Sequence, residues 1–432
     1  MSQEYYIRNL LKIEDENIHF YENLCEEGFR KGKKCTIVNA YLSYIPDYCE
    51  NCGCIFETKH DYEKKGFLNK PSFIIIPSVS KYDTYLCLKK QRIKCHYCNK
   101  SFVCKTDLVN YGCFISNKTK HSIADDLMKK ISEKDIAINN NVSPNTVERI
   151  IDSYYELDDK VCKSFLPTAL SFDEFKSVKS ADGAMSFSLC NAKNGKFIDV
   201  VEDRKLNSLI KYFSRYTRKS RLNVRYIVID MYSPYISLIK IMFPNAKIVI
   251  DKFHLIQLIS RSLNKTRIMY MKKDKKNYNK LKRYWKNILK ARSELNNTEW
   301  KRYICFNDLT TEQDIVDYLV SLDRKLENTY QVYQDLLYAL QNNNYKLLKE
   351  TLNNDYESVS EYMLISIKTL KQYTVYINNT FNTNYHNGYI EGNNNFIKVI
   401  KRIAFGFRSF KRFKARIMIC KGLIKIKKIA SA

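Results

Sequence analysis

The chain has 432 residues, 45% of them hydrophobic, which is too long for one ordinary domain and too apolar for a disordered protein. Its 73 lysines and arginines against 46 acids give a formal net charge of +27, which points to a polyanionic partner and to nucleic acid first. A membrane partner is disfavoured, because the longest tight apolar run is FIII at 73–76 and the basic residues do not form one juxtamembrane cluster.

The polar start, MSQEYYIRNL, does not resemble a secretory signal, so a cytoplasmic, nucleoid-associated protein is expected. In that reducing setting fourteen cysteines read as thiols or metal ligands rather than disulfides. Cys162, Cys190, Cys305 and Cys420 stand singly and are expected to pack as small hydrophobes. Residues 1–115 read as loop-rich, with short strands at 72–77 and 84–89. Two knuckles flank those strands, Cys49-Glu50-Asn51-Cys52 and Cys95-His96-Tyr97-Cys98. Each CxxC turn presents two thiolates, and two facing turns complete a four-cysteine structural Zn²⁺ site, so the segment reads as a zinc ribbon. A redox site needs only one such pair. Cys54, Cys104, His60 and His96 are weaker substitutes.

Residues 116–160 read as a helix-turn-helix. A first helix is expected at about 122–130, a second from Ser132, a turn at 139–142, and a third helix at 145–154. Ser143-Pro144 opens the third, since serine suits the N-cap and proline the first turn. That helix is expected to turn Asn145, Thr146, Glu148 and Arg149 outward and Val147 and Ile150 inward, the layout of a recognition helix for a major groove. An ordinary three-helix packing unit is the plain alternative.

Residues 161–255 change to strands. One at 169–172 ends at Asp173, and a hairpin of 184–190 and 196–201 turns at Lys193-Asn194-Gly195. A helix follows at 206–216, then a buried-type strand at 225–229 ending at Asp230. A helix at 233–241 and a strand at 247–250 ending at Asp251 close the pattern, which describes a mixed α/β sheet. Residues 256–380 lack strand signals and read as a helical insertion with long helices at 315–340 and 358–377. Its stretch 272–292, dense in lysine, arginine and tyrosine, suits a DNA backbone or a solvated face equally. A polar linker is expected at 378–385.

The last segment, 381–432, holds one carboxylate, Glu391, at the head of a helix followed by eight basic residues up to Arg416. Helical spacing puts Glu391, Asn395, Lys398 and Arg402 on one face, and Ile390, Ile397, Ile400 and Ala404 on another. Arg408 and Lys411 continue the basic run. An acid in that place suits a metal ligand beside a phosphate-binding surface; on this segment alone, a solvated basic helix is an equal reading.

Asp173, Asp230 and Glu391 are the acids best placed for chemistry. If the strand of Asp230 lies beside that of Asp173, three carboxylates can hold two Mg²⁺ (or Mn²⁺) ions roughly 4 Å apart for an in-line phosphoryl displacement. Glu174 and Asp251 are rival ligands, with Asp251 also read as an N-cap. His254 reads as a helix residue near DNA. Arg204 suits a phosphate contact or a structural salt bridge.

The strings LSFDEFK (170–176), VIDMYSPY (228–235), FPNAKIVIDKFH (243–254) and NGYIEGNNNFIKVIKR (387–402), then GFRSFKRFKARI, resemble the ISL-three-type insertion-sequence transposases. CENC…CHYC and the helix-turn-helix are similar to that family's N-terminal module. The extra Cys54 leaves the choice of thiolates open. The resemblance implies an RNase H-like catalytic domain interrupted by a helical insertion, with its first and fourth strands adjacent and an Asp-Asp-Glu triad at Asp173, Asp230 and Glu391. It also implies a transposase that binds terminal inverted repeats, cleaves phosphodiesters by metal-assisted hydrolysis, and joins the 3′ ends to target DNA by transesterification. Such an enzyme works on double-stranded DNA as a homodimer or larger assembly. A non-enzymatic DNA-binding regulator and a site-specific nuclease on the same fold are the alternatives.

Overall fold

The computed structural model describes residues 3–154 and 163–424. Cys162 and the domain boundary expected near 160 lie outside the described residues. The chain divides into two compact units, one of residues before 160 with 178–180 and 397 onward, the other of 160–177 and 181–396.

The first unit starts with helix α1 (Gln3–Leu11) and six strands: β1 (Ile18–Arg30), β2 (Lys33–Leu42), β3 (Tyr62–Phe67), β4 (Ser72–Val79), β5 (Tyr82–Cys95) and β6 (Ser101–Val103). The region is therefore a sheet rather than loop-rich. The long β5 organises it, pairing with β2 in parallel and with β3, β4 and β6 in antiparallel fashion, while β1 pairs with β2 as an edge. Alternating residues of β2, β4 and β5, among them Val38, Ala40, Ile74, Ile76, Leu86 and Leu88, form its core. The β1 sequence, IHFYENLCEEGFR, hides its nature because an edge strand tolerates many charges.

Three helices follow: α2 (Asn117–Leu127), α3 (Glu133–Asn139) and α4 (Pro144–Tyr154). The first begins five residues before the expected start, because Ser116 is its N-cap and accepts the Thr119 N–H at 3.1 Å. Ser132 caps α3 as its sequence suggested, accepting from the Asp135 N–H at 3.0 Å. Ile123, Leu127, Ile136, Val147 and Ile151 form a common core with Ala415 and Ile419 of a C-terminal helix (Phe410–Cys420). The buried Arg416 guanidinium fastens that helix, donating to the carbonyls of Leu127, Lys129 (2.9 Å) and Ile131 (2.8 Å).

The second unit is built on a five-stranded sheet: β7 (Ala169–Lys176), β8 (Met185–Asn191), β9 (Phe197–Val201), β10 (Tyr226–Ile229) and β11 (Lys247–Ile250), in the order β11-β10-β7-β8-β9. The strands β7, β8 and β9 form an antiparallel meander, and β10 and β11 add in parallel on the other side of β7. The fourth strand thus lies beside the first. Asp173 does not end β7, which continues to Lys176; Asp173 pairs with Ser188 of β8. Helices α5 (Leu206–Phe213), α6 (Arg218–Leu222) and α7 (Ser233–Met242) connect the strands; the helix expected at 206–216 ends at Phe213, and α6 follows as a second short helix. Phe172, Phe187, Phe213, Tyr235 and Phe243 fill the core with edge-to-face and stacked rings.

The remaining elements are α8 (Lys252–Lys273), α9 (Tyr278–Arg283), α10 (Trp285–Ile288), a small antiparallel pair β12 (Lys301–Arg302) and β13 (Leu309–Thr310), α11 (Glu312–Val320), α12 (Arg324–Gln341), α13 (Tyr345–Asn353), α14 (Glu361–Phe381), α15 (Gly388–Ile403) and α16, the Phe410–Cys420 helix. The insertion is thus helical apart from one two-stranded ribbon. The single helix expected at 315–340 is two helices, because Asp323 caps α12 and accepts from the N–H groups of Lys325 and Leu326 at 2.8 and 3.1 Å. Helix α14 absorbs the first part of the expected linker. Cys190 is buried and Cys420 half-buried, but Cys305 is exposed in a left-handed turn (φ 73°) and does not pack as a small hydrophobe.

Candidate active site

The run ALSF (169–172) and the two IVI runs (227–229 and 248–250) are buried, and each is followed at once by a carboxylate. Register then aligns those carboxylates. Val228 pairs with Ser171, so Asp230 continues opposite Asp173; Ile229 pairs with Ile250, so Asp230 also continues opposite Asp251. In parallel strands less than 5 Å apart, residues at one level point to one face. Three aspartates therefore stand in one row across the sheet, Asp230 and Asp251 just past the carboxyl ends of β10 and β11 and Asp173 within β7, toward the end at which open α/β sheets bind ligands.

Helix α15 lies across this row. Asn387, Glu391 and Asn394 are spaced four and three residues apart and share one side. The Asn387 side-chain amide donates to Asp230 Oδ1 at 3.2 Å, and its backbone N–H donates to Asp251 Oδ1 at 2.8 Å. The Asn394 amide donates to Asp173 Oδ2 at 2.7 Å and is itself oriented by the Ser188 hydroxyl, which donates to Asn394 Oδ1 at 2.8 Å. Glu391, Asp251 and His254 each bring a ligand atom within 4.8 Å of the other two. His254 Nε2 donates to Asp230 Oδ1 at 2.9 Å, which ties this group to the aspartate row. Glu391 thus approaches from the Asp230–Asp251 side.

Negative charge is in excess here. Burial, then the neighbouring Asp230 charge, push the Asp173 carboxyl up to about 7 against the opposing Glu174 N–H. Burial works against a charged His254, but the hydrogen bond and charge of Asp230, with Asp251 and Asp173 behind it, raise it above its ordinary value. Asp251 is only 3% exposed, and its Oδ2 and the Asn387 Oδ1 are buried without a hydrogen-bond partner. Leaving such acceptors unsatisfied costs on the order of 1–3 kcal/mol each. Crowded carboxylates, an orphaned carboxylate oxygen and an imidazole are a donor set that fits a divalent cation.

Glu174 alternates to the other side of β7 and is ion-paired with Arg204, whose guanidinium also lies 5.0 Å from the Tyr232 ring. On α4, Asn145 and Arg149 are exposed, whereas Thr146 is 7% exposed and turned inward, contrary to its expected outward position. Its hydroxyl bonds to Ser143 Oγ at 3.1 Å and accepts from Arg149 Nη2 at 3.1 Å, as a third-position threonine beside an N-terminal serine does. Glu148 is half-buried in an ion pair with Arg412 at 2.6 Å. Lys398, Arg402, Arg408 and Lys411 are exposed, and Ile390, Ile397 and Ile400 are buried. Sequence reasoning undervalued His254 and Asp251 and passed over Asn387 and Asn394. Helical spacing around Glu391, and the D-x-x-H start of α8, were the signals available.

The second cluster lies in the N-terminal sheet. The sulfurs of Cys49, Cys52, Cys95 and Cys98 all lie within 4.8 Å of one another, with Cys49–Cys98 at 3.7 Å and Cys52–Cys95 at 3.8 Å. Sulfurs about 2.3 Å from a tetrahedral zinc are about 3.8 Å apart, so the donor set fits Zn²⁺. Burial opposes ionisation of Cys49, yet the N–H groups of Cys52 and Asn51 and the adjoining thiols hold it down at about 7. The alternatives are engaged elsewhere: Cys104 Sγ donates to the Tyr44 carbonyl, and His96 Nδ1 bonds the His60 carbonyl at 2.7 Å.

Residues 170–417, more than half of the chain, match the model of a family described as Transposase. That family is the ISL3 type of Asp-Asp-Glu transposase, and the chain belongs to it. Over 112 residues, 26% of this chain, it is also 44% identical to a Lactococcus lactis subsp. lactis protein named ATP-dependent protease. The chain spans about a third (36%) of that protein's length. Among the described residues no helix is long and apolar enough to cross a membrane.

Proposed function

We propose that this chain is a DNA transposase that binds the terminal inverted repeats of its element, cleaves there to free 3′-OH ends, and joins those ends to target DNA. The observation that carries this reading is one side of α15, on which Asn394 meets Asp173, Asn387 meets Asp230, and Glu391 meets Asp251 and His254. It sets an acid from beyond the helical insertion beside Asp251 and His254, at the end of the sheet that also carries Asp173 and Asp230, which supports an RNase H-like site.

Asp173, Asp230 and Glu391 would hold the catalytic Mg²⁺ or Mn²⁺ ions, with Asp251 as a further carboxylate at the same edge. When bound, two such ions supply charge stabilisation at the attacking and leaving oxygens of an in-line displacement. Asn387 and Asn394 fix carboxylate orientation, and His254 steadies Asp230. Holding an ion would require Asp173 in its deprotonated form. In the first reaction water replaces a 3′ oxygen on phosphorus; in the second, the freed 3′-OH replaces another, so the number of phosphodiesters is conserved in joining. The exposed Lys398 and Arg402 on α15, with Arg408 and Lys411 beyond, suit phosphate contacts; Arg204 suits one if it leaves Glu174. Asn145 and Arg149 suit base edges in a major groove, and zinc would hold the N-terminal knuckles together. Pairing two ends calls for a homodimer or larger assembly on nucleoid DNA in the cytoplasm.

The test is a reaction of the purified full chain with duplexes taken from the DNA flanking its coding region, in Mg²⁺. Release of a 3′-OH at paired inverted repeats, followed by its transfer to a second duplex, supports the reading. Cleavage without transfer reassigns the chain to the nucleases, and binding without cleavage to the regulators.

A further inference from the structure

The hairpin β1–β2 ends in Phe29-Arg30-Lys31-Gly32-Lys33-Lys34. Lys31 and Gly32 both have positive φ, 51° and 74°, which makes a tight two-residue turn whose twist matches its strands. Arg30 does not hang free: its guanidinium lies 3.5 Å from the Phe73 ring and 5.3 Å from that of Tyr85. Lys34 is neutralised by Glu27 at 2.6 Å. Lys31 and Lys33 are exposed and have no acidic partner among the described residues. Beside them Phe29 is 77% exposed.

The base of this tip touches the helix-turn-helix. Tyr85 donates its hydroxyl to Asn141 Oδ1 at 3.3 Å, and Cys35, Ile37 and Tyr85 share an apolar cluster with Val142. Asn141 and Val142 immediately precede Ser143-Pro144, where α4 starts. A recognition helix presents its N-terminal end to base edges, so the tip stands next to the end that enters the groove. Lysines alone would suit an edge strand kept from aggregating. They do not account for Phe29, left in water two residues before Lys31. Free cations at a hairpin turn with one exposed apolar side chain at its base are the pattern of elements that grip phosphates and lean an apolar group into a minor groove.

We propose that the β1–β2 hairpin is a DNA-binding wing. With α4 in a major groove, Lys31 and Lys33 hold phosphates across the adjoining minor groove and Phe29 enters it. This rests on the reading that the chain binds duplex DNA, but on residues outside both the recognition helix and the acid cluster.

The test uses the full chain on a duplex taken from the DNA flanking its coding region, with affinity measured across a salt series and hydroxyl-radical protection mapped. For the double variant Lys31→Ala/Lys33→Ala, the slope of log affinity against log salt is expected to flatten by about 2, roughly 0.9 per phosphate lost. Minor-groove protection on one side of the α4 footprint is expected to disappear. Phe29→Ala is expected to weaken binding about tenfold with the slope unchanged, the effect of losing an aromatic contact to bases. Asn145→Ala/Arg149→Ala is expected to keep the minor-groove protection. The wing is overturned if the tip variants keep the wild-type slope and footprint while Arg149 substitution alone alters them. Wild-type protein that binds no duplex overturns the wing and the DNA reading together.

Discussion

The side-chain amide of Asn394 donates to Asp173 Oδ2 at 2.7 Å, across 221 residues of sequence. This contact, held by Ser188 on the other side of the amide, ties the acid-bearing helix to the central strand. Asn394→Ala leaves Asp173 free to rotate. Groups that orient metal ligands typically change affinity or activity about 10–100-fold. We expect Mg²⁺ affinity to fall within that range and cleavage to fall with it, while saturating Mg²⁺ recovers part of the rate. A structural defect alone would not be recovered by added metal.

Asp173 and Asp230 repel each other in the metal-free protein. Burial and that repulsion raise the Asp173 carboxyl from 3.8 to about 7, so the folded state holds a proton that the unfolded state releases. Stability of the metal-free protein should therefore fall as pH rises from about 4 to about 7, by on the order of 2–4 kcal/mol. Asp173→Asn should flatten that fall and raise the thermal midpoint above pH 7. Thermal denaturation of both proteins across pH, in chelator, checks it.

Buried runs followed by a carboxylate offered Asp173 and Asp230 as candidates, and a lone acid heading a basic helix offered Glu391; by position alone each had an equal plain reading, and the family resemblance selected the three together. Their order along the chain and the helical content between them were also legible. The rest depends on pairings that no local pattern encodes. Asp251 joined the row only through the β10–β11 register, and His254 through its bond to Asp230. Thr146 was misplaced because outward and inward positions on α4 depend on its serine cap. The β1 strand went unseen because an edge strand carries charges on its open side.

Sulfur geometry distinguishes Cys52 from Cys54. The sulfur of Cys52 lies with those of Cys49, Cys95 and Cys98, and Cys54 stands outside that group. Cys52→Ser should lose bound zinc and destabilise the N-terminal sheet, whereas Cys54→Ser should keep about one zinc per chain. Metal analysis of the purified variants decides this.

Glu133, at the start of α3, is held above its ordinary value by burial, with Arg416 opposing, and its Oε1 has no hydrogen-bond partner. The folded state favours its protonated form, so its destabilising effect sets in as pH rises past its ordinary 4.5. Glu133→Gln should raise the thermal midpoint at neutral pH and leave it nearly unchanged below the ordinary carboxylate range. Melting curves at the two pH values check the sign.

Asp173, Asp230 and Glu391 are proposed to form one metal-dependent site for DNA strand cleavage and joining. The most direct measurement is strand cleavage and transfer by Asp173→Asn, Asp230→Asn and Glu391→Gln on duplexes carrying the ends of the element, with end binding measured on the same preparations. The expected result is loss of both reactions in all three variants, with end binding close to wild type. Wild-type cleavage by any one of them would remove that residue from the site, and cleavage by all three would contradict the account.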